Sequence, residues 1–246
     1  MATDEKDITL VTSLYKGGLF IRQFLENVTS QTAWDRCQLF IVDAVSPDNE
    51  YEVIKEYLHN PNIRYERLHK DPGIYGVWNY AIESSHTKYI TNANVDDCLM
   101  PDCLEKHMNL LDSEPEIDLA YCVNIETDSY GIPEVLEGSR TFPTGIFSLY
   151  NMLICNLPHN HPVWRKSLHK RFGYFDETYK SAADWDFWLR CAVLGAQFKL
   201  IEEPLGCYYR NPEGISSKES NMERNLNEVK SVRDKFIKIL SYLKQR

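Results

Sequence analysis

Two adjacent aspartates are the first residues of this 246-residue chain whose type and spacing suggest chemistry. Asp96 and Asp97 lie in the stretch NANVDDCLMP, 92–101, directly after a strand-like run and just before a proline that is typical of a helix start. A carboxylate at such a junction is a common helix cap, because it accepts hydrogen bonds from unpaired backbone N–H groups. Paired carboxylates also bind Mg²⁺ or Mn²⁺, so both interpretations stay open.

Three other strand-like segments of the first half also end in polar residues. Hydrophobic patterning predicts strands at 8–15, 37–44, 62–68 and 88–93, alternating with helices near 18–30, 49–59 and 75–85. This alternation predicts a mostly parallel sheet, in which ligands bind at the carboxyl ends of the strands. The polar residues at the four ends are Ser13 and Tyr15, then Asp43, then His69 and Asp71, and finally Asn94, Asp96 and Asp97. We expect a nucleotide-type site at this edge, although helix caps alone would give a similar pattern.

The second half supplies further helices and strands and a helical tail. Helices are predicted near 101–113, 146–154 and 181–195, and strands at 117–123, 197–201 and 205–209. The tail, 219–246, has an apolar stripe, and from Lys230 onward it carries six basic residues against Asp234 alone. This pattern favours a helix packed on the domain, with attachment to an anionic membrane or to a partner as the alternative.

Composition limits the class of ligand. The net charge is −9, so we do not expect binding to nucleic acid. The chain has neither a Gly-x-Gly-x-x-Gly loop nor a P-loop, so a phosphate-bearing ligand would need a divalent cation. Seven scattered cysteines without a Cys-x-x-Cys pair, and the lack of a leader pattern or a membrane-spanning run, predict a cytoplasmic protein.

Five segments resemble, in the family's own order, the family-2 glycosyltransferases of the GT-A fold. The segment DPGIYGVWNYAIESSHTKYITNANVDDCLMP is similar to the family's Asp-x-Gly-Ile-Tyr-Asp-Ala-x-Asn, strand and Asp-x-Asp-Asp-x-x-x-Pro series. VTSLYKGG resembles its opening strand and loop, and VDAVSPDN its Val-Asp-Asp-Gly-Ser-x-Asp. GYFDETYKSAADWDFWLRCAVLG is similar to its Gly-x-Phe-Asp-Glu and Asp-Tyr-Asp-Leu-Trp-Leu-Arg helix, and YYRNPEGISS to its closing Arg and Gly-x-Ser segment.

The resemblance covers nearly the whole chain and implies a fold class and a domain division. The implied fold is α/β, a GT-A-type, Rossmann-like α/β/α sandwich with a mostly parallel central sheet and a C-terminal helix. Residues 1–218 would form one glycosyltransferase domain, with a nucleotide-binding half at 1–100 and an acceptor half at 101–218. Residues 219–246 would form the C-terminal helix.

The resemblance also implies roles for individual residues on the donor side. Ser13, Tyr15 and Asp43 would line the base-and-ribose pocket, with Asp43 accepting a hydrogen bond from the base edge and Asp71 beside them. Asn94 would lie near the ribose, Asp96 would be the main metal ligand, and Asp97 an adjacent metal or ribose contact. The implied cofactor is Mn²⁺ or Mg²⁺.

On the acceptor side, Asp184 matches the family's catalytic base. Capping of its helix is the alternative for Asp184, and Asp186 could be the base or pair with Arg190. His161 is expected near the diphosphate or acceptor and is a candidate metal ligand, while Arg210 and the loop 214–217 could close over the diphosphate.

The resemblance thus implies a metal-dependent inverting glycosyltransferase. Its donor would be a nucleotide-diphospho-sugar, with a UDP-sugar favoured, and its acceptor a glycan or a lipid-linked saccharide. The sequence departs from the family pattern at Asn94, at Ala44 and Val45, and at Gly76 and Ala183. Asn94, Ala44 and Ala183 motivate one alternative, an inert nucleotide-sugar- or glycan-binding module, and a metal-dependent nucleotidyltransferase is the other.

Overall fold

The first half of the chain forms a parallel βα series, as the patterning predicts. In the computed structural model, which describes residues 6–134, 138–142 and 144–243, this half contains four parallel strands. They are β1 (Ile8–Leu14), β2 (Cys37–Asp43), β3 (Ile63–Arg67) and β4 (Tyr89–Asn92). They lie in the order β3-β2-β1-β4. Their carboxyl ends therefore meet at one edge of the sheet.

The second half extends the same sheet with mixed pairing. Its strands are β5 (Cys98–Leu99), β6 (Leu119–Thr127), β7 (Val163–Arg165) and β8 (Phe198–Tyr209). The full order is β3-β2-β1-β4-β7-β6-β8-β5; β7 runs antiparallel to β4 and β6, and β5 antiparallel to β8. Strands β6 and β8 pair in parallel, with register shifts near Val123.

Three details of this half differ from the sequence prediction. The two strands predicted at 197–201 and 205–209 are one strand, β8, because the chain continues through Pro204, which lies at the register shift opposite Val123. A proline is tolerated there because a bulge interrupts the ladder. Strands β5 and β7 were not predicted, since two or three residues are too few to show a hydrophobic period.

Helices cover both faces of the sheet. They are α1 (Ile21–Thr29), α2 (Tyr51–Ile54), α3 (Ile74–Ser84), α4 (Cys103–Ser113), α5 (Leu149–Ile154), α6 (Ser167–Phe172), α7 (Ala183–Val193) and α8 (Met222–Leu243). The helix predicted at 49–59 is α-helical only over Tyr51–Ile54, and α6 was not predicted. Among the described residues, no helix has both the length and the apolar character that a membrane span requires.

The core is divided by the sheet into two apolar layers. One layer contains side chains from α3, α5, α6, α7 and α8, and the other contains side chains from α1, α2 and α4. The C-terminal helix α8 belongs to the first layer through Val232 and Phe236, which are 0% and 2% exposed. Two helix layers around one sheet give the predicted α/β/α arrangement.

Candidate active site

The carboxyl ends of β1 and β2 carry the residues that the sequence assigns to a base-and-ribose pocket. Ser13 is half-buried, Tyr15 is 48% exposed, and Asp43 is 2% exposed. The loops that follow these strands contain Lys16 and Val45, which adopt left-handed backbone conformations with φ of 54° and 60°. Asp71 lies on the exposed loop after β3, where its Oδ1 accepts a hydrogen bond from Gly73 N at 2.7 Å.

The Asp43 carboxylate is held by three donors. Its Oδ1 accepts a hydrogen bond from Ser46 N at 2.7 Å, and its Oδ2 accepts from Tyr65 Oη at 2.7 Å and from Arg67 at 2.5 Å. Burial and the nearby Asp43 charge raise the pKa of Tyr65 to about 12, so its phenol remains a donor at neutral pH. The contact of Asp43 with a nucleobase stays a prediction, and the structure shows a carboxylate already fixed by its neighbours.

Glu50, which the sequence did not single out, joins the two strand-end loops. It is 2% exposed, and its Oε1 accepts hydrogen bonds from Gly17 N at 2.8 Å and from Ser46 Oγ at 2.7 Å. Ser46 Oγ in turn accepts from Lys16 N at 2.9 Å. These contacts fix the backbone on both sides of the predicted nucleotide pocket.

Asp96 and Asp97 have different surroundings although they are adjacent. Asp97 is 4% exposed; its Oδ2 accepts hydrogen bonds from Asn94 at 2.9 Å and Asn160 at 2.5 Å, and its Oδ1 accepts from Tyr209 N at 3.1 Å. Asp96 is half-buried, and its Oδ2 accepts a hydrogen bond from Asn211 at 2.9 Å. Burial raises the pKa of both carboxyls, and the charge of Asp96 adds to the shift at Asp97. Asp96 is therefore the more available ligand for a cation.

Asn94 explains one departure from the family pattern in physical terms. Its amide donates to the buried Asp97 carboxylate, which an aspartate at position 94 could not do.

The capping interpretation of Asp96 and Asp97 is wrong, because the next helix, α4, begins only at Cys103.

His161 is a buried neutral imidazole. It is 2% exposed, and burial lowers its pKa to about 3. Asn124 donates its amide to two backbone carbonyls, so its Oδ1 faces His161 Nδ1 at 2.7 Å and the proton must lie on Nδ1. Among the described residues no three Asp, Glu, His or Cys side chains converge on one point as a metal site would require. The structure thus does not join His161 to the two aspartates, and its role as a metal ligand stays a prediction.

A cavity of about 110 Å³ lies between the end of β4 and the start of α7, and Asp184 lies in its wall. The other lining residues are Ile74, Tyr75, Trp78, Asn92, Asn94, Asn156, Pro158, His159, Asn160, Pro162, Lys180, Ser181, Trp188, Ile215 and Ser216. Asn94 and Asp184 belong to opposite halves of the sequence. The cavity therefore brings together the predicted donor and acceptor sides.

The carboxylate of Asp184 is held by one donor on each oxygen. Tyr75 Oη donates to Oδ1 at 2.9 Å, and Asn156 Nδ2 donates to Oδ2 at 2.7 Å. Burial, together with the charge of Asp184, raises the pKa of Tyr75 well above its ordinary value, so Tyr75 acts as a neutral donor. Helix α7 is preceded by Ala182 and has no side-chain cap, so Asp184 does not cap this helix.

Asp186 is fully buried and cannot serve as a solvent-facing base. It pairs with Arg190 at 2.9 Å and with Lys235 of α8 at 2.6 Å. The predicted pairing with Arg190 is therefore confirmed by the geometry, and Asp184 is the cavity carboxylate of this helix.

The sequence model of glycosyl transferase family 2 matches residues 9–172, which is more than half of the chain. The chain belongs to glycosyl transferase family 2. The predicted family is thereby confirmed. An uncharacterized glycosyltransferase of Methanocaldococcus jannaschii is 25% identical over 78% of this chain and 66% of its own length. The chondroitin synthase of Escherichia coli is 23% identical over 88% of this chain, which spans only 31% of that enzyme.

Solved structures confirm the GT-A fold of this family 2 chain. S. aureus TarS, residues 1–349, in complex with UDP superposes with a TM-score of 0.71 at 17% identity, covering 94% of this chain and 65% of that one. The mannosyltransferase PcManGT from Pyrobaculum calidifontis, in complex with GDP-Man and Mn²⁺, gives a TM-score of 0.69 at 15% identity, with the same two coverages.

Several residues of this family 2 site were missed by sequence reasoning. Tyr75 lies in the family-like motif GIYGVWN, so the sequence pointed to this position. It did not indicate that Tyr75 donates a hydrogen bond to Asp184. Asn156 and Asn160, which hold Asp184 and Asp97, lie in a stretch without a regular pattern. The predicted closing residue Arg210 is exposed and does not line the cavity, whereas Ile215 and Ser216 of the predicted loop do.

Proposed function

We propose that this chain transfers a sugar from a nucleotide-diphospho-sugar to a hydroxyl group of a glycan or a lipid-linked saccharide, with inversion at the anomeric carbon. A UDP-sugar is the favoured donor class. The family match supports a glycosyltransferase over a nucleotidyltransferase. The single observation that carries the proposal is the Asp184 carboxylate, held in the wall of a cavity that Asn92 and Asn94 at the end of β4 also line.

Asp184 is suited to act as a general base. Each of its oxygens accepts one hydrogen bond from a neutral donor, so each keeps a lone pair for an incoming hydroxyl. As the acceptor oxygen attacks the anomeric carbon, its proton passes to Asp184 and the bond to the diphosphate breaks. One displacement with the base opposite the leaving group inverts the anomeric centre, by the logic of inverting glycosidases.

The donor side fits a divalent cation, Mn²⁺ or Mg²⁺. Asp96 would hold it, with Asp97 adjacent, because hard cations prefer carboxylate oxygens completed by substrate phosphates. A bound cation would neutralise charge that develops on the leaving diphosphate. Burial raises the pKa values of both neighbouring carboxyls, so their ionised forms are costly in the free protein. A bound cation would offset that cost. The mannosyltransferase neighbour contains Mn²⁺ with its nucleotide-sugar.

The nucleotide would lie at the ends of β1 and β2, beside Ser13, Tyr15 and Asp43. TarS is a neighbour in complex with UDP and with UDP-GlcNAc, and PcManGT is in complex with GDP-Man. These complexes support a nucleotide-sugar donor in the same fold. Asp71 and Arg210 remain predicted contacts at the margins of that site.

The Asp184→Asn variant tests the proposed base. Transfer should fall by about two to four orders of magnitude, because an amide cannot accept the proton. Affinity for the free nucleoside diphosphate should stay unchanged, since Asp184 is not among the residues predicted to contact the nucleotide. The measurements are nucleoside diphosphate release with a panel of donors and acceptors, with and without Mn²⁺, and calorimetry with the nucleoside diphosphate.

Asp234→Asn, an exposed change on α8, is the control for loss of one negative charge. Retained transfer by Asp184→Asn would overturn the assignment of the base. Donor binding by the unaltered protein without any turnover across the panel would instead support an inert binding module. Transfer that is independent of added cation in metal-stripped protein would exclude the metal-dependent mechanism.

A further inference from the structure

One loop wall of the Asp184 cavity is held by a carboxylate of the C-terminal helix. Lys180 and Ser181 line the cavity directly before α7. Glu228 Oε1 accepts a hydrogen bond from Lys180 N at 2.8 Å, and Oε2 accepts from Ser181 N at 2.8 Å and from Ser181 Oγ at 3.0 Å. Hydrogen bonds to an ionised acceptor are stronger than neutral ones, so Glu228 fixes this backbone segment.

The second loop wall is held by the side-chain amide of Asn225, which lies about one helical turn before Glu228 in α8. Ile215 and Ser216 also line the cavity. Asn225 Nδ2 donates to Ile215 O at 2.9 Å and to Ser216 O at 3.3 Å. Arg224 donates to Asn225 Oδ1 at 3.1 Å, and since a guanidinium only donates, this contact orients the amide with Nδ2 towards the loop.

The two holding residues act from the same side of α8. Residues three apart on a helix are neighbours on its surface, so Asn225 and Glu228 face the cavity loops together. The second loop also reaches the donor side, because Asn211 Nδ2 donates to Asp96 Oδ2 at 2.9 Å. A continuous set of contacts thus runs from Asp96 through the loop 211–217 to α8, and from α8 to the segment before Asp184.

Helix α8 is itself firmly attached to the domain. Val232 and Phe236 are buried in the core, and Lys235 pairs with the buried Asp186 at 2.6 Å. Arg233 donates to the backbone carbonyls of Leu153 and Ile154 at the end of α5, at 3.1 and 3.2 Å. A helix anchored at these points is a rigid support for the loops that its first half holds.

We propose that the first half of α8 is part of the active site, with Glu228 and Asn225 as positioning residues for the two loop walls of the Asp184 cavity. The inference rests on the proposed function, because these walls would set where the acceptor hydroxyl lies relative to Asp184. The C-terminal helix then has a second role besides packing: it couples the loop that contacts Asp96 to the segment that leads into the base. Neither residue contacts the reacting atoms.

Glu228→Gln and Asn225→Ala test this role, with Glu223→Gln as the matched control on an exposed position of the same helix. Amide hydrogen exchange should become faster at 180–181 in Glu228→Gln and across 211–218 in Asn225→Ala, and should stay unchanged in the control. In acceptor kinetics, kcat/KM should fall by about tenfold to a hundredfold, since small displacements of a reacting group have effects of this size. For Glu228→Gln, the affinity for the nucleoside diphosphate and the melting temperature should stay close to those of the control.

Different failures have different meanings. Unchanged exchange in both wall segments would overturn the inference, whatever the activity. Faster exchange with kcat/KM equal to that of the control would show that the walls do not position the acceptor, and would also overturn it. A matching loss of nucleoside diphosphate affinity in Glu228→Gln, whose wall segment is not the one that contacts Asp96, would indicate general damage and count against positioning. If the unaltered protein transfers no sugar at all, the proposed function fails, and exchange alone then decides whether α8 holds the walls.

Discussion

At the scale of single residues, Val45 is a β-branched residue in a backbone conformation that disfavours its side chain. Its φ is 60°, in the left-handed region that disfavours a Cβ, and a β-branched residue is worse there than most. The resembled family pattern has glycine at this position. The conformation is maintained by neighbours such as Ser46, whose backbone N–H donates to Asp43. Strain at the rim of a site of this kind is a common feature of functional loops.

Val45→Gly should stabilise the protein by about 0.5–1 kcal/mol. Relief of left-handed strain of about 1–2 kcal/mol exceeds the about 0.5–1 kcal/mol that glycine's freedom in the unfolded chain costs. Val45→Ala is the control, because it keeps the Cβ and therefore the strain. The free energy of unfolding from urea denaturation is the measurement, and equal stability of the glycine and alanine variants would contradict the strain.

At the scale of secondary-structure elements, α7 and α8 are joined by a buried charge. Asp186 is fully buried on α7 and has two cations around it, Arg190 on its own helix and Lys235 on α8. Two of the basic residues that made the tail look like a membrane-binding helix, Arg233 and Lys235, are thus engaged with the domain. Binding of α8 to a membrane or partner stays a prediction and would fall mainly to Lys230 and Lys238 among the described residues.

Lys235→Met should lower the free energy of unfolding by about 1–3 kcal/mol, because it leaves a buried carboxylate with one cation fewer. The partial exposure of Lys235 and the remaining Arg190 keep the loss below that of an isolated buried charge. Lys238→Met, an exposed change one turn along the same helix, is the control. Urea denaturation at constant slope measures both, and equal stability of the two variants would show that Lys235 does not compensate Asp186.

At the scale of the whole molecule, stability depends on histidines that are buried without charge. His169 accepts a hydrogen bond from Trp164 Nε1 at 2.9 Å and donates from Nδ1 to Gly173 O at 3.1 Å, so both ring nitrogens are used by the neutral form. Burial lowers the pKa of His169 from 6.5 to about 4. The unfolded chain therefore binds this proton first on acidification. The stabilising contribution is complete above pH 6.5 and is lost as the pH falls towards 4.

The comparison with His169→Gln isolates this effect. The stability advantage of the unaltered protein over the variant should shrink by about 2 kcal/mol between pH 7 and pH 5, at about 1.4 kcal/mol per pH unit below 6.5. Asp97, whose pKa is raised, has the opposite sign but contributes equally to both proteins. His59→Gln, an exposed histidine, is the control. A pH-independent difference between the unaltered protein and His169→Gln would contradict a neutral His169 in the fold.

The sequence by itself determined the family, the parallel half of the sheet and the polar residues at its strand ends. Buried parallel strands require continuous apolar runs, and such runs are legible in a sequence, as are motifs such as DPGIYGVWN and ADWDFWLR. The alternation of the first half also located the ends of all four strands, β1 to β4, to within one residue of their observed positions.

Tertiary structure alone decided which polar groups are available for chemistry. Asp96 and the buried Asp97 have different environments because their hydrogen-bond partners come from segments distant in sequence. The same is true of Asp184 in the cavity and Asp186 in the core. The roles of Asn156 and Glu50, and the hydrogen bonds from α8 to two loops, were likewise visible only in the tertiary structure. Each depends on one side chain that contacts a backbone group or a side chain of another segment. The spacing of apolar residues indicates which face of a helix or strand is buried, but a single polar contact produces no repeating pattern in the sequence.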